Sequence, residues 1–180
     1  LGKQKGRAYL PSLLFFVIIK YVGGSMKFID FDGTITSKDS VYTNFILFQI
    51  KRLLTKPNKT IVKLMKKYPY VILTNSMNIE KFFIYFYLLV HRLPIKNCKD
   101  VVCISRYEYT TDKELIYKRK AEIIFNHFID LCRLSRSIVD VKVFDHLYVD
   151  NDDEVRNGVI EQCRLIHDRF VFNLIHKENA

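Results

Sequence analysis

The segment Phe28-Ile29-Asp30-Phe31-Asp32-Gly33-Thr34-Ile35-Thr36 limits this chain more than any other. The short apolar run 27–31 reads as a buried strand, and Asp32-Gly33-Thr34 reads as the turn that ends it. In extended backbone, residues two apart point to the same side, so the carboxylates of Asp30 and Asp32 face one way. Two like charges that close are costly unless a cation or a shared proton lies between them. Oxygen ligands of this kind suit a hard cation, Mg2+ above all. A plain turn with Asp30 at a strand end is the alternative. The apolar lead-in and the following Thr-Ile-Thr weigh against it.

The rest of the chain supplies partners for that strand. Short apolar runs at 70–73, 101–104 and 146–149 read as strands. Helical patterns at 41–54, 60–67, 79–90, 112–131 and 155–165 separate or follow them, with a further strand or short helix near 170–175. Pro57 and Asn58 break the first two helices apart, and Ser76 is a candidate N-cap for the helix at 79–90. In the helix at 112–131, Ile116, Ala121, Ile123, Ile124, Phe125, Phe128 and Ile129 are the expected core. Strands alternating with helices predict an α/β fold, a three-layer Rossmann-like parallel sheet with helices on both faces. In such a sheet, ligands sit outside the carboxyl ends of the strands.

A chain of 180 residues suits one domain with a sizeable core. Its 49% hydrophobic content excludes a collagen-like or largely disordered chain. Residues 26–180 hold no Gly/Ser linker and are read as one domain. Residues 1–25 are read as a separate extension. Lys3, Lys5 and Arg7 precede an apolar run at 13–19, and Gly23, Gly24 and Ser25 follow, the outline of a secretory signal. The run is too short to span a bilayer, so no stable membrane span is expected. Met26, directly before the first strand, favours an extension that is not native.

The four cysteines, Cys98, Cys103, Cys132 and Cys163, form no CxxC pair and no zinc spacing. They read as free, mostly buried thiols of a reducing compartment, cytoplasmic or nuclear, with secretion only if 1–25 is a true signal. His91, His127, His146, His167 and His176 share no ligand spacing with the acids. Phe82, Phe83, Tyr85, Phe86 and Tyr87 crowd one helix, where buried packing is the expected role.

The net charge is +10. Residues 1–25 carry Lys3, Lys5, Arg7 and Lys20 without an acid. Residues 51–67 carry Lys51, Arg52, Lys56, Lys59, Lys63, Lys66 and Lys67, again without one. These eleven positives exceed the whole net charge, so the rest of the chain is near neutral. The second run is either a solvated helix face or a track for backbone phosphates or an acidic partner.

FIDFDGTIT resembles the first motif of the haloacid dehalogenase superfamily, mostly phosphohydrolases. The resemblance implies Asp30 as the nucleophile that forms an aspartyl-phosphate, and Asp32 as the general acid/base. It implies Mg2+ held by the Asp30 carboxylate and by the backbone carbonyl of Asp32. Three more motifs follow in order. Val71-Ile72-Leu73-Thr74-Asn75 is similar to the second, with Thr74 as the phosphate-holding hydroxyl and Asn75 and Gly33 beside the substrate. The third is a lysine. Lys113, Lys118 and Lys120 compete, with Lys120 preferred for the Ala121-Glu122-Ile123-Ile124-Phe125 that follows and Lys118 close behind. His146-Leu147-Tyr148-Val149-Asp150-Asn151-Asp152-Asp153 is similar to the fourth. Asp150 is the metal ligand there, and Asn151, Asp152 and Asp153 compete for the second place, with Asp152 taken first.

Asp30 to Thr74 leaves room for two short helices and no full cap, so the site is expected to be open. An open site excludes water poorly unless the substrate covers it. That favours a phosphorylated macromolecule. Cys103-Ile104-Ser105-Arg106 with Thr110-Thr111-Asp112 is similar to phosphatase domains that remove 3′-phosphates from nucleic acid ends. Val149-Asp150-Asn151 is similar to capless protein serine/threonine phosphatases. A binding or scaffold protein on the same fold is the remaining expectation.

Overall fold

The computed structural model describes residues 26–36, 44–105, 111–132 and 148–178, and leaves aside the side chains of 130–132 and 170–178. Within these described residues, four strands and five α-helices follow in order. They are β1 (Lys27–Ile29), α1 (Phe45–Leu54), α2 (Lys59–Lys67), β2 (Tyr70–Met77), α3 (Glu80–Val90), β3 (Cys98–Ser105), α4 (Lys113–Cys132), β4 (Tyr148–Val149) and α5 (Asp153–Glu178). The strands form one sheet in the order β3-β2-β1-β4, and every pairing is parallel.

The apolar runs are continuous because both faces of the sheet are covered. Phe28, Val71 and Leu73 face α4 and α5, where they meet Ala121, Ile124, Phe125, Phe128, Val159 and Cys163. The alternate residues Ile29, Ile72 and Val101 face Met65 of α2 and Ile84, Tyr87 and Leu88 of α3. Each such side chain, fully buried, contributes about 1.5–3 kcal/mol relative to exposure. The result is a three-layer α/β fold of Rossmann-like form.

The first two crossovers move outward, from β1 to β2 to β3. The chain then returns through α4 and lays β4 on the other side of β1. The strand order therefore reverses between β1 and β4, the place where parallel sheets open a crevice at their carboxyl ends.

Several boundaries differ from the sequence reading. β2 continues through Thr74, Asn75 and Ser76 to Met77, because Thr74 pairs with Cys103 and Met77 with Ser105. Ser76 is thus a strand residue and does not cap α3. Instead Glu80 accepts a hydrogen bond from the Met77 amide at 3.1 Å. α5 absorbs the tail segment 170–175 into one helix. Asn44 and Asn58 cap α1 and α2, each accepting backbone N–H bonds. Residues 41–43 and 146–147 lie outside the described residues. Cys163 is buried, Cys98 and Cys103 are half-buried, and none of the three is in a disulfide.

Two helices depart from the expected burial. In α3, Tyr87 is buried, but Phe82 and Phe86 are 71% and 44% exposed. That helix is apolar on all sides, and the sheet covers only one. α1 is turned inside out, with Gln49 and Arg52 buried while Ile46, Leu47, Ile50 and Leu54 are exposed.

Candidate active site

The site assembles at the carboxyl ends of β1 and β4. The Asp30 amide donates to the Val149 carbonyl at 2.9 Å, so Asp30 follows β1 still in extended form. Asp32 is also extended, and Gly33 then turns the chain with φ 73°, a value that favours glycine. The Gly33 amide donates to Thr36 Oγ1 at 2.8 Å. Thr34 ties the turn to the end of β4. Its hydroxyl donates to Asn151 Oδ1 at 2.8 Å and accepts from the Asn151 amide at 2.8 Å.

Lys120 comes from α4, on the helix face that carries Ala121 and Ile124, and is 2% exposed. Its ammonium donates to Asp30 Oδ1 at 2.8 Å, to the Tyr148 hydroxyl at 2.7 Å and to Asp150 Oδ2 at 3.3 Å. The Tyr148 hydroxyl in turn donates to Asp150. All three donors of the ammonium are satisfied. Lys118 is exposed, and Lys113 is exposed in an ion pair with Glu154.

Burial dominates the electrostatics. It raises the Asp30 carboxyl to about 7, with Lys120 pulling it down and Asp150 pushing it up. Burial also works against the Lys120 charge, but Asp30 and Asp150 outweigh it and hold the ammonium above its ordinary value. Burial, then the same two carboxylates, keeps the Tyr148 phenol protonated.

A second buried cation stands behind Asp32. Arg52 of α1 is 1% exposed and grips Asp32 with both arms of its guanidinium, Nε to Oδ1 at 2.9 Å and Nη2 to Oδ2. Its Nη1 donates to Glu80 at 2.7 Å and to Gln49 at 3.1 Å, and Nη2 reaches Ser76 at 3.2 Å. The guanidinium also lies 4.9 and 4.6 Å from the ring centres of Phe31 and Phe48. Burial opposes its charge, but Asp32 and Glu80 reverse the balance. Arg52 therefore adds nothing to the surface charge of the 51–67 run, where the sequence reading put it.

A cleft of about 520 Å³ opens over these groups. Asp30, Asp32, Asp150, Asp152 and Asp153 line it, with Asn75 on one side and Lys120 as the cation. No residue of α1 or α2 is among the lining residues, so these helices do not cap the cleft. Nor does the basic run rim it. Met65 and Lys66 of α2 accept bonds from Asn97, and Pro69 accepts from the Lys27 amide, at the amino ends of the strands.

The other expected residues separate. Asn75 lines the cleft, with its Oδ1 accepting from the Ser105 hydroxyl at 2.7 Å. Thr74 is buried, its hydroxyl 3.2 Å from that of Ser76, and does not line the cleft. Asp152 Oδ1 accepts from the amides of Glu154 and Val155, which makes it the N-cap of α5. Asp153 pairs with Arg156 at 2.8 Å. Arg52, Glu80 and Tyr148 were not anticipated. Gln49 and Arg52 stand three apart in an apolar helix, a spacing that places them on one face but does not say that the face is buried.

The donor set can be tested for a cation. Among the described residues no three acidic, histidine or cysteine side chains converge as a ready-made cluster. The cleft does present Asp30 and Asp150 together, with Asp32, Asp152 and Asp153 also on its lining, although Arg52 pairs with Asp32 and Arg156 with Asp153. Such a set fits a divalent cation that keeps several waters, as Mg2+ does. No protein-family model matches the chain, and no curated protein or solved structure matches it.

Proposed function

We propose that this chain is a Mg2+-dependent phosphohydrolase of the haloacid dehalogenase type, acting through an aspartyl-phosphate on Asp30. The observation that carries the reading is Lys120, a buried ammonium 2.8 Å from Asp30 and 3.3 Å from Asp150, at the switch point of a parallel sheet. Asp30 Oδ attacks phosphorus as the bond to the leaving oxygen breaks, and Asp32 gives that oxygen its proton. Water then attacks the phosphorus of the acyl phosphate and passes a proton to Asp32, which frees phosphate and restores Asp30. Lys120 balances the charge of the nucleophile and of the incoming phosphoryl group. Asp30, Asp150 and the Asp32 carbonyl would hold Mg2+, which would supply positive charge beside the incoming phosphoryl group.

A cleft that neither α1 nor α2 caps favours a phosphomonoester on a larger molecule, either a nucleic acid end such as a 3′-phosphate or a phosphoserine protein, in a reducing cytoplasmic or nuclear setting. Asp30→Asn is expected to abolish turnover of an aryl phosphate with the fold intact. Retained turnover in that variant sinks the mechanism. A panel of 3′-phosphorylated oligonucleotides and phosphoserine peptides, run at two salt concentrations, separates the substrate classes. Salt-sensitive oligonucleotide turnover is expected for the nucleic acid version.

One observation favours a second reading, a phosphate-binding scaffold on the same fold. Arg52 engages both oxygens of Asp32, the proposed proton carrier. Inactivity across the panel with Mg2+ present, together with insensitivity to chelator, would select it.

A further inference from the structure

We infer that the outer face of the α1–α2–α3 layer docks on an anionic lipid bilayer. Nine of the ten exposed large apolar side chains among the described residues lie on α1, on α3 or at Ile79 just before α3. Ile46, Ile50 and Leu54 project from α1, and Phe82, Phe86 and Leu89 from α3, each 44–76% exposed. The two helices pack side by side. Phe45 meets Phe83 edge-on at 5.8 Å, Tyr87 donates to the Thr55 carbonyl at 2.9 Å, and His91 lies 2.8 Å from the Leu53 carbonyl. The exposed side chains therefore belong to one surface, and a patch of this kind marks an interaction site.

α1 explains why the patch exists. Gln49 and Arg52 are committed inward to Asp32 and Glu80 and take up much of its inner face, so Ile46, Leu47, Ile50 and Leu54 are left on the outside.

Charge selects the occupant. Residues 44–99 contain one acid, Glu80, and it is fully buried. The six lysines of the 51–67 run lie in α1, in α2 or between them, and α2 places Lys59, Lys63, Lys66 and Lys67 at exposed positions. Apolar side chains beside a basic helix match the interface of an anionic membrane, and the exposed Asp100 carboxylate next to α3 is neutralised by Lys81 at 2.8 Å. A second copy of the chain would bring the same cations face to face. Residues 1–25, also basic and without an acid, repeat that repulsion. A nucleic acid would leave the apolar side chains in water. The contact inferred is a peripheral one, and no helix among the described residues is long and apolar enough to cross a membrane.

The test is co-sedimentation of the full chain with phosphatidylcholine vesicles, with and without phosphatidylserine, at low and high salt. Binding is expected only with phosphatidylserine and should weaken as salt rises. Ile50→Glu with Phe86→Glu should abolish it, and Lys59→Glu with Lys63→Glu should lower the partition coefficient about tenfold or more. All four positions are exposed or partly so, and an unchanged melting temperature verifies that each variant folds. The inference is overturned by no binding to either vesicle, by equal binding to neutral vesicles, or by undiminished binding of the Ile50→Glu/Phe86→Glu chain. It is equally overturned if that variant instead dissolves a dimer. Asp30→Asn should bind vesicles like the parent chain, so the result stands apart from the fate of the phosphatase reading.

Discussion

Lys120 and Arg52 are each buried between two carboxylates, yet only Lys120 faces the cleft. Lys120 joins Asp30 to Asp150 across two strand ends. Arg52 joins Asp32 to Glu80 across two helices and a turn. The first cation has three polar contacts, one of them to a phenol. The second has four polar partners and two aromatic faces. The difference separates a centre that can exchange its partners with a ligand from one that locks its neighbours in place.

Removing each cation exposes that difference most sharply. Arg52→Met leaves Glu80 fully buried beside Asp32 with no guanidinium between them. Breaking a buried pair of this kind costs about 3–5 kcal/mol. A large drop in melting temperature is expected, and a drop no greater than that of a surface substitution removes the locking role. Lys120→Met should cost less, about 1–3 kcal/mol. Asp30 can neutralise itself by taking a proton, and Tyr148 still donates to Asp150. Its activity, in contrast, should fall to the level of Asp30→Asn. Equal losses of stability in the two variants would erase the distinction.

Much of the Lys120 centre was legible because it is local or periodic. Asp30 and Asp150 end apolar runs that parallel sheets bury whole, so their strands stand out in the sequence. Lys120 lies four residues before Ile124 and eight before Phe128, on the buried stripe of α4, whereas Lys118 falls on the exposed side. The Arg52 centre was not legible. Its partner Glu80 lies 28 residues away, and nothing local says that α1 turns its polar side inward. The same long-range pairing with β3 carried β2 through Thr74-Asn75-Ser76, residues whose own preference is a turn. Thr74 was thereby left inside the sheet, while Asn75 faces the cleft.

The Lys120 centre should also respond to pH. The Asp30 carboxyl ordinarily titrates at 3.8 and is raised to about 7 in the folded chain. Between those values the folded state binds more protons than the unfolded state, so stability falls as pH rises. The contribution is complete below about pH 4 and gone above about pH 7. Denaturant titrations of the chelator-treated protein should show this slope, and Asp30→Asn should flatten it. Mg2+ should restore stability more at neutral than at acid pH, because it favours the ionised carboxylate. A slope that survives Asp30→Asn assigns the titration to another group.

The smallest expected effect lies at the rim, where Asp152 has two possible duties. Its carboxylate lines the cleft, which suits a water-mediated metal contact, and it caps α5 through Glu154 and Val155. Asp152→Ala removes both and should cost about 1 kcal/mol, the usual loss of an N-cap. Asp152→Asn keeps the cap, because asparagine serves that position as well as aspartate, but deletes the charge. Unchanged stability with weaker Mg2+ dependence of turnover would place Asp152 with the Lys120 centre, as a group tuned to a ligand. Unchanged stability with unchanged Mg2+ dependence would place it with Arg52, as a residue that holds the frame.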